Sequence, residues 1–209
     1  MALPSSESIE RGCLEYGLQL SSTQIDQLLS YLKLLVTWNE KVNLTAIRDP
    51  AEMVHRHFFE SMFAAEAVPI RKGRLADAGS GGGFPGIPLK IISPELDLIL
   101  IESNLRKAAF LAEVIRELSL ERCRVAVGRY EEMGEELTPL DYACSRALGE
   151  FGDFLGWAAS TVLVTKQVVL WVGGRDLEEV RKTSIWEWRE PIAIPNSLRR
   201  YLLVGTRKW

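Results

Sequence analysis

At 209 residues, 47% hydrophobic and 25% charged, the chain has the composition of an ordinary globular protein and can bury a full core without disulfides or a structural metal. A net charge of −3 does not mark a bulk nucleic-acid binder. The three cysteines, Cys13, Cys123 and Cys144, form no CxxC pair, which argues against a disulfide framework and for a reduced, cytoplasmic setting; two histidines, His55 and His57, with no cysteine beside them argue against zinc. The N-terminus lacks the basic start and apolar core of a signal peptide, and the longest uncharged apolar stretch, Phe154 to Thr165, is too short to span a bilayer.

Charge is unevenly spread. Residues 1–68 carry 5 Lys/Arg against 9 Asp/Glu, whereas residues 189–209 carry 5 against 1, so any polyanion is expected to meet a local patch. Residues 1–68 read as a helical extension. Ser22-Thr23 precede an apolar stripe of Ile25, Leu28, Leu29, Leu32, Leu35 and Val36 at helical spacing. Asp49-Pro50 starts a second helix expected to run to about Ala65, with Glu52 in its first turn. Between the two lies the polar stretch Trp38-Asn39-Glu40-Lys41-Val42-Asn43-Leu44-Thr45.

From about residues 69–73 the pattern changes to short apolar runs alternating with helical ones. Strands are expected at 75–78, 98–101, 124–127, 142–144 and 167–172, with helices at 85–92, 105–118, 150–163 and 176–182 between and after them. Strand–helix alternation implies a parallel sheet. The last two runs, 191–194 and 201–204, are joined only by Pro195-Asn196-Ser197, too short for a crossover helix, and should pair antiparallel. The expected fold class is therefore α/β: a Rossmann-like sheet, mostly parallel with an antiparallel C-terminal strand, over residues 69–209, plus the N-terminal helical extension 1–68.

The chemistry concentrates at Asp77-Ala78-Gly79-Ser80-Gly81-Gly82-Gly83-Phe84-Pro85-Gly86, between a strand and a helix. In an open α/β sheet this is where ligands bind, and glycines allow close backbone approach and positive φ. Gly81-x-Gly83-x-x-Gly86 formally matches the dinucleotide fingerprint, so a nicotinamide-dependent oxidoreductase is one alternative, although no Tyr-x-x-x-Lys pair accompanies it. Gly79-x-Gly81-x-Gly83 better suits a nucleoside carrying an amino-acid tail, such as S-adenosylmethionine. Glu102 ends the next strand and is placed to accept hydrogen bonds from ribose hydroxyls. Tyr130-Glu131 follow the third strand at the same rim and could flank an adenine, although Glu131-Glu132 also reads as a helix start.

Four segments together resemble the ribosomal RNA small subunit methyltransferase G family, also called glucose-inhibited division protein B. They are Trp38 to Thr45, Arg48-Asp49-Pro50 through Arg56-His57, Asp77 to Pro88, and Ser145-Arg146-Ala147. The resemblance spans nearly the whole chain. It implies an S-adenosylmethionine-dependent enzyme methylating guanine N7 of a single guanosine in the 530 loop of 16S ribosomal RNA; a methyltransferase of another substrate is the other alternative. Carried over by position, Gly79 and Phe84 match cofactor contacts, Glu102 the ribose position, Tyr130 and Glu131 a pair near the adenine, and Arg146 a residue of the cofactor and substrate cleft. Ser80, Gly81, Gly83 and Ser103 complete the expected cofactor set. One departure is visible: Trp171-Val172-Gly173 stands where the family carries Leu-Lys-Gly, so Val172 replaces a lysine, and Arg175 is a candidate substitute.

On the substrate side Arg146 leads, since a guanidinium can face a guanine edge or a phosphate bidentately; a salt bridge to Asp141 or Glu150 is the structural alternative. Asn39, Arg56 and His57 are expected at the cleft, against packing or capping roles. Arg106, Lys107, Arg199 and Arg200 are candidates for RNA phosphate, followed by Arg207 and Lys208; Trp186 and Trp188 are expected in the core rather than stacked on a base. The expected partner is 16S ribosomal RNA or the small ribosomal subunit, with no membrane and no metal, for a chain acting as a monomer.

Overall fold

The structure is a computed structural model describing residues 3–146, 151–160 and 162–208. The first helix, α1 (Ser6–Glu15), starts where the Ser5 hydroxyl accepts the Ser8 N–H at 3.2 Å. In α2 (Ser22–Val42) Ser21 and Gln24 exchange side-chain and backbone hydrogen bonds as a capping box, tying off two otherwise orphaned donors. Leu28, Leu32 and Leu35 of its apolar stripe are completely buried, each contributing about 1.5–3 kcal/mol of transfer free energy.

The helix opened by Asp49-Pro50 departs from expectation. Asp49 accepts the Glu52 N–H at 2.8 Å, but α3 (Pro50–Met53) passes into a π-helical turn, Val54–Phe59, before α4 (Glu60–Ala67) resumes. The extra residue in that turn re-aims the side chains on either side of it, and such bulges concentrate at functional sites.

The remainder alternates: β1 (Lys72–Ala78), α5 (Gly86–Ile92), β2 (Glu95–Glu102), α6 (Leu105–Glu117), β3 (Cys123–Val127), β4 (Tyr142–Arg146), α7 (Phe151–Ala158), β5 (Gln167–Gly173), α8 (Leu177–Arg181), β6 (Trp186–Trp188), β7 (Ile192–Ala193) and β8 (Arg200–Arg207). The helix expected over 150–163 ends at Ala158, and its expected first residue, Glu150, lies outside the described residues. The strand order is β3-β2-β1-β4-β5-β8-β6, with β7 on β8. The first five strands run parallel. The C-terminal pairing is antiparallel as expected, but β8 is also wedged between β5 and the short strand β6, which the sequence did not suggest. Trp186 is buried, and the Trp188 ring lies where any side chain at Gly205 would have to go.

Alternate side chains of β5 serve two cores. Val169 and Trp171 face the N-terminal helices, α5 and α6; Val168, Leu170 and Val172 face α7 and α8. The N-terminal helices thus share one apolar cluster with a face of the sheet. Strand order reverses between β1 and β4, and a crevice opens outside the carboxyl ends of strands at such a switch point. Among the described residues no helix is long and apolar enough to cross a membrane.

Candidate functional site

The glycine turn leaves β1 directly at the switch point. Gly79, Gly81 and Gly83 hold φ of 70°, 56° and 90°, a region closed to most side chains. A Cβ on Gly83 would lie 2.6 Å from both the Tyr31 hydroxyl and the Ile87 Cδ1. The turn is fastened from four directions. Tyr31 of α2 donates its hydroxyl to the Gly82 carbonyl. The Asp77 carboxylate accepts the Gly86 N–H at 2.9 Å, the Ser80 hydroxyl donates to the Asp77 carbonyl at 2.8 Å, and the Ser80 N–H reaches the Ile101 carbonyl at 3.0 Å. Glu102, 7% exposed, accepts Gly81 N–H at 2.9 Å on one oxygen and Asn104 N–H at 2.8 Å on the other. Each carboxylate oxygen therefore retains a lone pair for a hydroxyl donor. A backbone cradle beside a fixed acceptor fits a nucleoside with an amino-acid tail.

Two expected cofactor contacts turn the other way. The Ser80 hydroxyl is spent on Asp77, and the Phe84 ring, 7% exposed, packs with Tyr31 and Phe58 and stacks on His57 at 4.5 Å. The Ser80 backbone is spent as well, its N–H on Ile101 and its carbonyl on the Gly83 and Phe84 N–H groups, so these two residues build the floor of the turn. Ser103 is exposed beside Glu102. Tyr130 is half-buried, edge-on to Trp157 at 5.2 Å and Phe154 at 6.2 Å, and Glu131 pairs with Arg129 at 3.4 Å. Asn104 caps α6 through the N–H groups of Arg106 and Lys107, whose own side chains form no ion pair among the described residues.

A Glu102→Ala variant is expected to bind such a nucleoside, with S-adenosylmethionine as the probe, roughly 10- to 100-fold more weakly, since a charge-assisted hydrogen bond is worth about 1.5–3 kcal/mol. Calorimetric titration checks it; an unchanged Kd would remove Glu102 from the binding set.

Strand β4 supplies the opposite wall. Its register pairs Cys144 with Asp77, and the Ser145 hydroxyl donates to the Ala78 carbonyl at 2.8 Å, so Arg146 emerges level with Gly79. Arg146 pairs with neither Asp141 nor, among the described residues, any acid on its own strand; it reaches Glu60 of α4 at 3.3 Å and the Ser61 hydroxyl at 3.5 Å. Glu60 is 1% exposed. Arg200 grips the same carboxylate with two hydrogen bonds, at 3.0 and 2.6 Å, and the Arg56 Nε lies 3.3 Å away without hydrogen-bond geometry. Arg200, expected at RNA phosphate from its place in the basic tail, is thus already paired with a carboxylate, whereas Arg199 beside it is exposed. The Trp171 indole donates to the Glu60 carbonyl at 2.8 Å, fixing α4 to the end of β5. Val172, 1% exposed, faces the second core, and Arg175 is exposed beyond the strand end.

Asn39 is tied to the loop that follows its helix. Its amide donates to the Thr45 carbonyl at 3.0 Å and accepts the Thr45 N–H at 2.9 Å, fixing the 43–47 loop. The Thr45 hydroxyl sits 2.6 Å from His57 Nε2, while His57 Nδ1 is buried with no partner among the described residues. Burial, with the charges of Arg146 and Arg56, lowers the His57 pKa to about 3, so the ring is neutral at physiological pH. Burial raises the Asp77 pKa to about 7.

These shifts act on stability in opposite directions. Asp77 contributes fully below its ordinary value of 3.8 and loses that contribution as pH rises through about 7. His57 contributes fully above 6.5 and loses it as pH falls through about 3. In wild type the two slopes offset where they overlap. In Asp77→Asn, which keeps an acceptor for Gly86, stability should climb more steeply between about pH 4 and pH 6.5. Denaturant titration across that window checks this, and an unchanged slope refutes it.

Against known proteins, a profile of the family described as rRNA small subunit methyltransferase G matches residues 24–188. The chain belongs to this family. A ribosomal RNA small subunit methyltransferase G of Xylella fastidiosa is 49% identical over 201 residues, 93% of each chain. That of Alkaliphilus metalliredigens is 36% identical over 186 residues, 87% of this chain and 78% of the relative. A SAM-dependent methyltransferase structure from Aquifex aeolicus superposes with a TM-score of 0.62 at 10% identity, covering 79% of this chain and 97% of that one. The Methanococcus jannaschii fibrillarin pre-rRNA processing protein gives 0.56 at 13%, covering 67% and 69%. At such identities these structures establish the fold, that of class I methyltransferases. Family membership makes the chain a ribosomal RNA methyltransferase with S-adenosylmethionine as the expected cofactor, and the oxidoreductase alternative falls.

Proposed function

We propose that the chain methylates N7 of a single guanine in the decoding-region loop of 16S ribosomal RNA, in the cytoplasm, with Gly79, Gly81, Gly83 and Glu102 holding the donor and Arg146 facing the substrate. The observation that carries the N7 assignment is the protonation chemistry of the cleft. Guanine N7 has an in-plane lone pair and no proton, so its methylation requires alignment and dryness but no general base. The described cleft residues match that demand. His57 is held neutral with a pKa near 3, Glu60 is ion-paired to arginines, and Asp77, although its pKa is raised to about 7, is completely buried beneath the turn with its carboxylate on Gly86, out of reach of a substrate proton. None is poised to strip a proton from a hydroxyl or an exocyclic amine at neutral pH.

The sulfonium of the donor supplies the methyl group. The chain's residues align and shield: the glycine turn fixes one partner from below, Phe84 and His57 form an apolar floor, and Arg146 orients the base or an adjacent phosphate. Arg106, Lys107, Arg199 and Arg175 are the candidates for flanking phosphates, and the exposure of Arg106, Arg199 and Arg175 supports this.

The test is a transfer assay with labelled S-adenosylmethionine, offering small subunits and, separately, extracted 16S RNA from cells lacking the corresponding enzyme. The expected product is label in RNA that becomes alkali-labile at one guanine after borohydride reduction. Label at a base that stays alkali-stable would overturn the N7 assignment and leave rRNA methylation standing.

A further inference from the structure

Glu60 lies outside the glycine turn, beside Arg146 on the opposite wall of the cleft. Its carboxylate is 1% exposed and faces guanidiniums from three elements: Arg56 on the π-helical turn, Arg146 at the end of β4, and Arg200 at the start of β8. A buried carboxylate with one partner is an expensive arrangement that an apolar pair often matches. Here one negative charge meets three positive ones, leaving a local excess of two. An excess that core packing alone does not call for indicates an anion arriving from outside.

The donor inventory agrees. Each guanidinium has five N–H groups. Arg200 spends two hydrogen bonds on Glu60, and Arg146 spends one on Glu60 and one on Ser61. Among the described residues the three guanidiniums make no other hydrogen bond, and the Arg56 Nε lies 3.3 Å from the carboxylate without one. The three side chains remain 38%, 12% and 28% exposed, for Arg56, Arg146 and Arg200 in turn. Arg146 and Arg200 are anchored by hydrogen bonds, and Arg56 by charge alone, while all three stay partly exposed, so two of the forks are fixed before a ligand arrives. Trp171 and Ser61 stiffen the backbone of the anchor itself, through the Glu60 and His57 carbonyls.

We propose that Glu60 is a positioning residue that holds Arg146, Arg200 and Arg56 as one preformed clamp for a backbone phosphate of the substrate RNA. This rests on the reading that the substrate is RNA. It differs from a general basic patch in the sign of one result. Replacing Glu60 by Gln adds a positive charge to the cleft, so unspecific attraction predicts tighter RNA binding. The clamp predicts weaker binding, because three guanidiniums without their anchor repel one another and lose their common geometry.

The experiment compares wild type, Glu60→Gln and Glu60→Asp, each checked by thermal melting and donor titration, for affinity and turnover with unmethylated small subunits at several salt concentrations. The expected result for Glu60→Gln is donor affinity near wild type, a KM for the subunit raised roughly tenfold or more, and a salt slope shallower by about one phosphate contact. Glu60→Asp, which restores the charge one methylene short, should recover part of the loss. RNA affinity that is unchanged or tighter in Glu60→Gln overturns the clamp while leaving the proposed function standing. A wild type that binds no ribosomal RNA overturns both. Should Glu60→Gln fail to fold, Arg200→Gln carries the test: the clamp requires it to lose one phosphate contact's worth of salt slope, and an unchanged slope overturns it.

Discussion

Gly83→Ala is expected to abolish measurable donor binding and to lower the melting temperature. Two costs add. The first is conformational: a φ of 90° strains any residue with a Cβ, by roughly 1–3 kcal/mol. The second is steric. The new Cβ would stand 2.6 Å from the Tyr31 hydroxyl and the Ile87 Cδ1, and neither neighbour can retreat cheaply. Tyr31 is completely buried, stacked on Phe58 at 4.9 Å and Phe84 at 5.6 Å, and its hydroxyl is the donor that pins the Gly82 carbonyl. Relief of the overlap therefore moves the turn itself, together with the Gly81 N–H held by Glu102. Gly17→Ala is the internal control. Its φ of 72° carries similar strain, but nothing lies within 4 Å of the added carbon and it is remote from the turn. That variant should lose about 1–3 kcal/mol of stability and no donor affinity. Calorimetric titration of both proteins separates the cases, and wild-type affinity in Gly83→Ala would refute the cradle.

The contrast between what was legible in the sequence and what was not follows sequence separation. The glycine turn and Glu102 could be read because their constraint is local: a strand, three positive-φ positions and an acid at the end of the next strand. Asp49-Pro50 likewise announced a helix start, since a cap uses residues three apart. The π-helical turn within that helix has no comparable local signature, so the direction in which Arg56 and His57 point was not readable. Glu60 was missed altogether. In the sequence it is one acid among nine in residues 1–68, and its partners lie 86 and 140 residues away. The Glu60 contact of Arg200, read in the sequence only as a candidate for RNA phosphate, was hidden for the same reason: a run of basic residues near a terminus looks solvated until a distant carboxylate is brought beneath it. Asn39 shows an intermediate case. Its partner Thr45 is six residues away, close enough that a loop clamp was foreseeable, but the onward contact from Thr45 to His57 depends on two helices meeting. Val172, noted as a departure from the family, proves to face the second core, so the cation at that end of the sheet comes from other chain segments: Arg200 sits opposite Gly173 in the β5–β8 register.

Arg146→Ala is the sharpest test of the substrate wall, because the fold should survive it. Glu60 would keep both hydrogen bonds from Arg200, so the truncation does not strand a buried charge, the usual cause of collapse when one member of a buried pair is removed. The Ser145 hydroxyl would still tie β4 to the Ala78 carbonyl, leaving the cradle intact. Donor affinity is therefore expected to change only a few-fold, whereas turnover on small subunits should fall on the order of a hundredfold, the scale set by losing the alignment of two reacting groups. Loss of a cation near His57 would also raise that ring's pKa, since Arg146 is second only to burial among the causes of its depression. The variant should accordingly show the His57 protonation step at higher pH by NMR titration. Turnover unchanged in Arg146→Ala would remove Arg146 from the substrate site; turnover lost together with donor affinity would instead assign it to the donor.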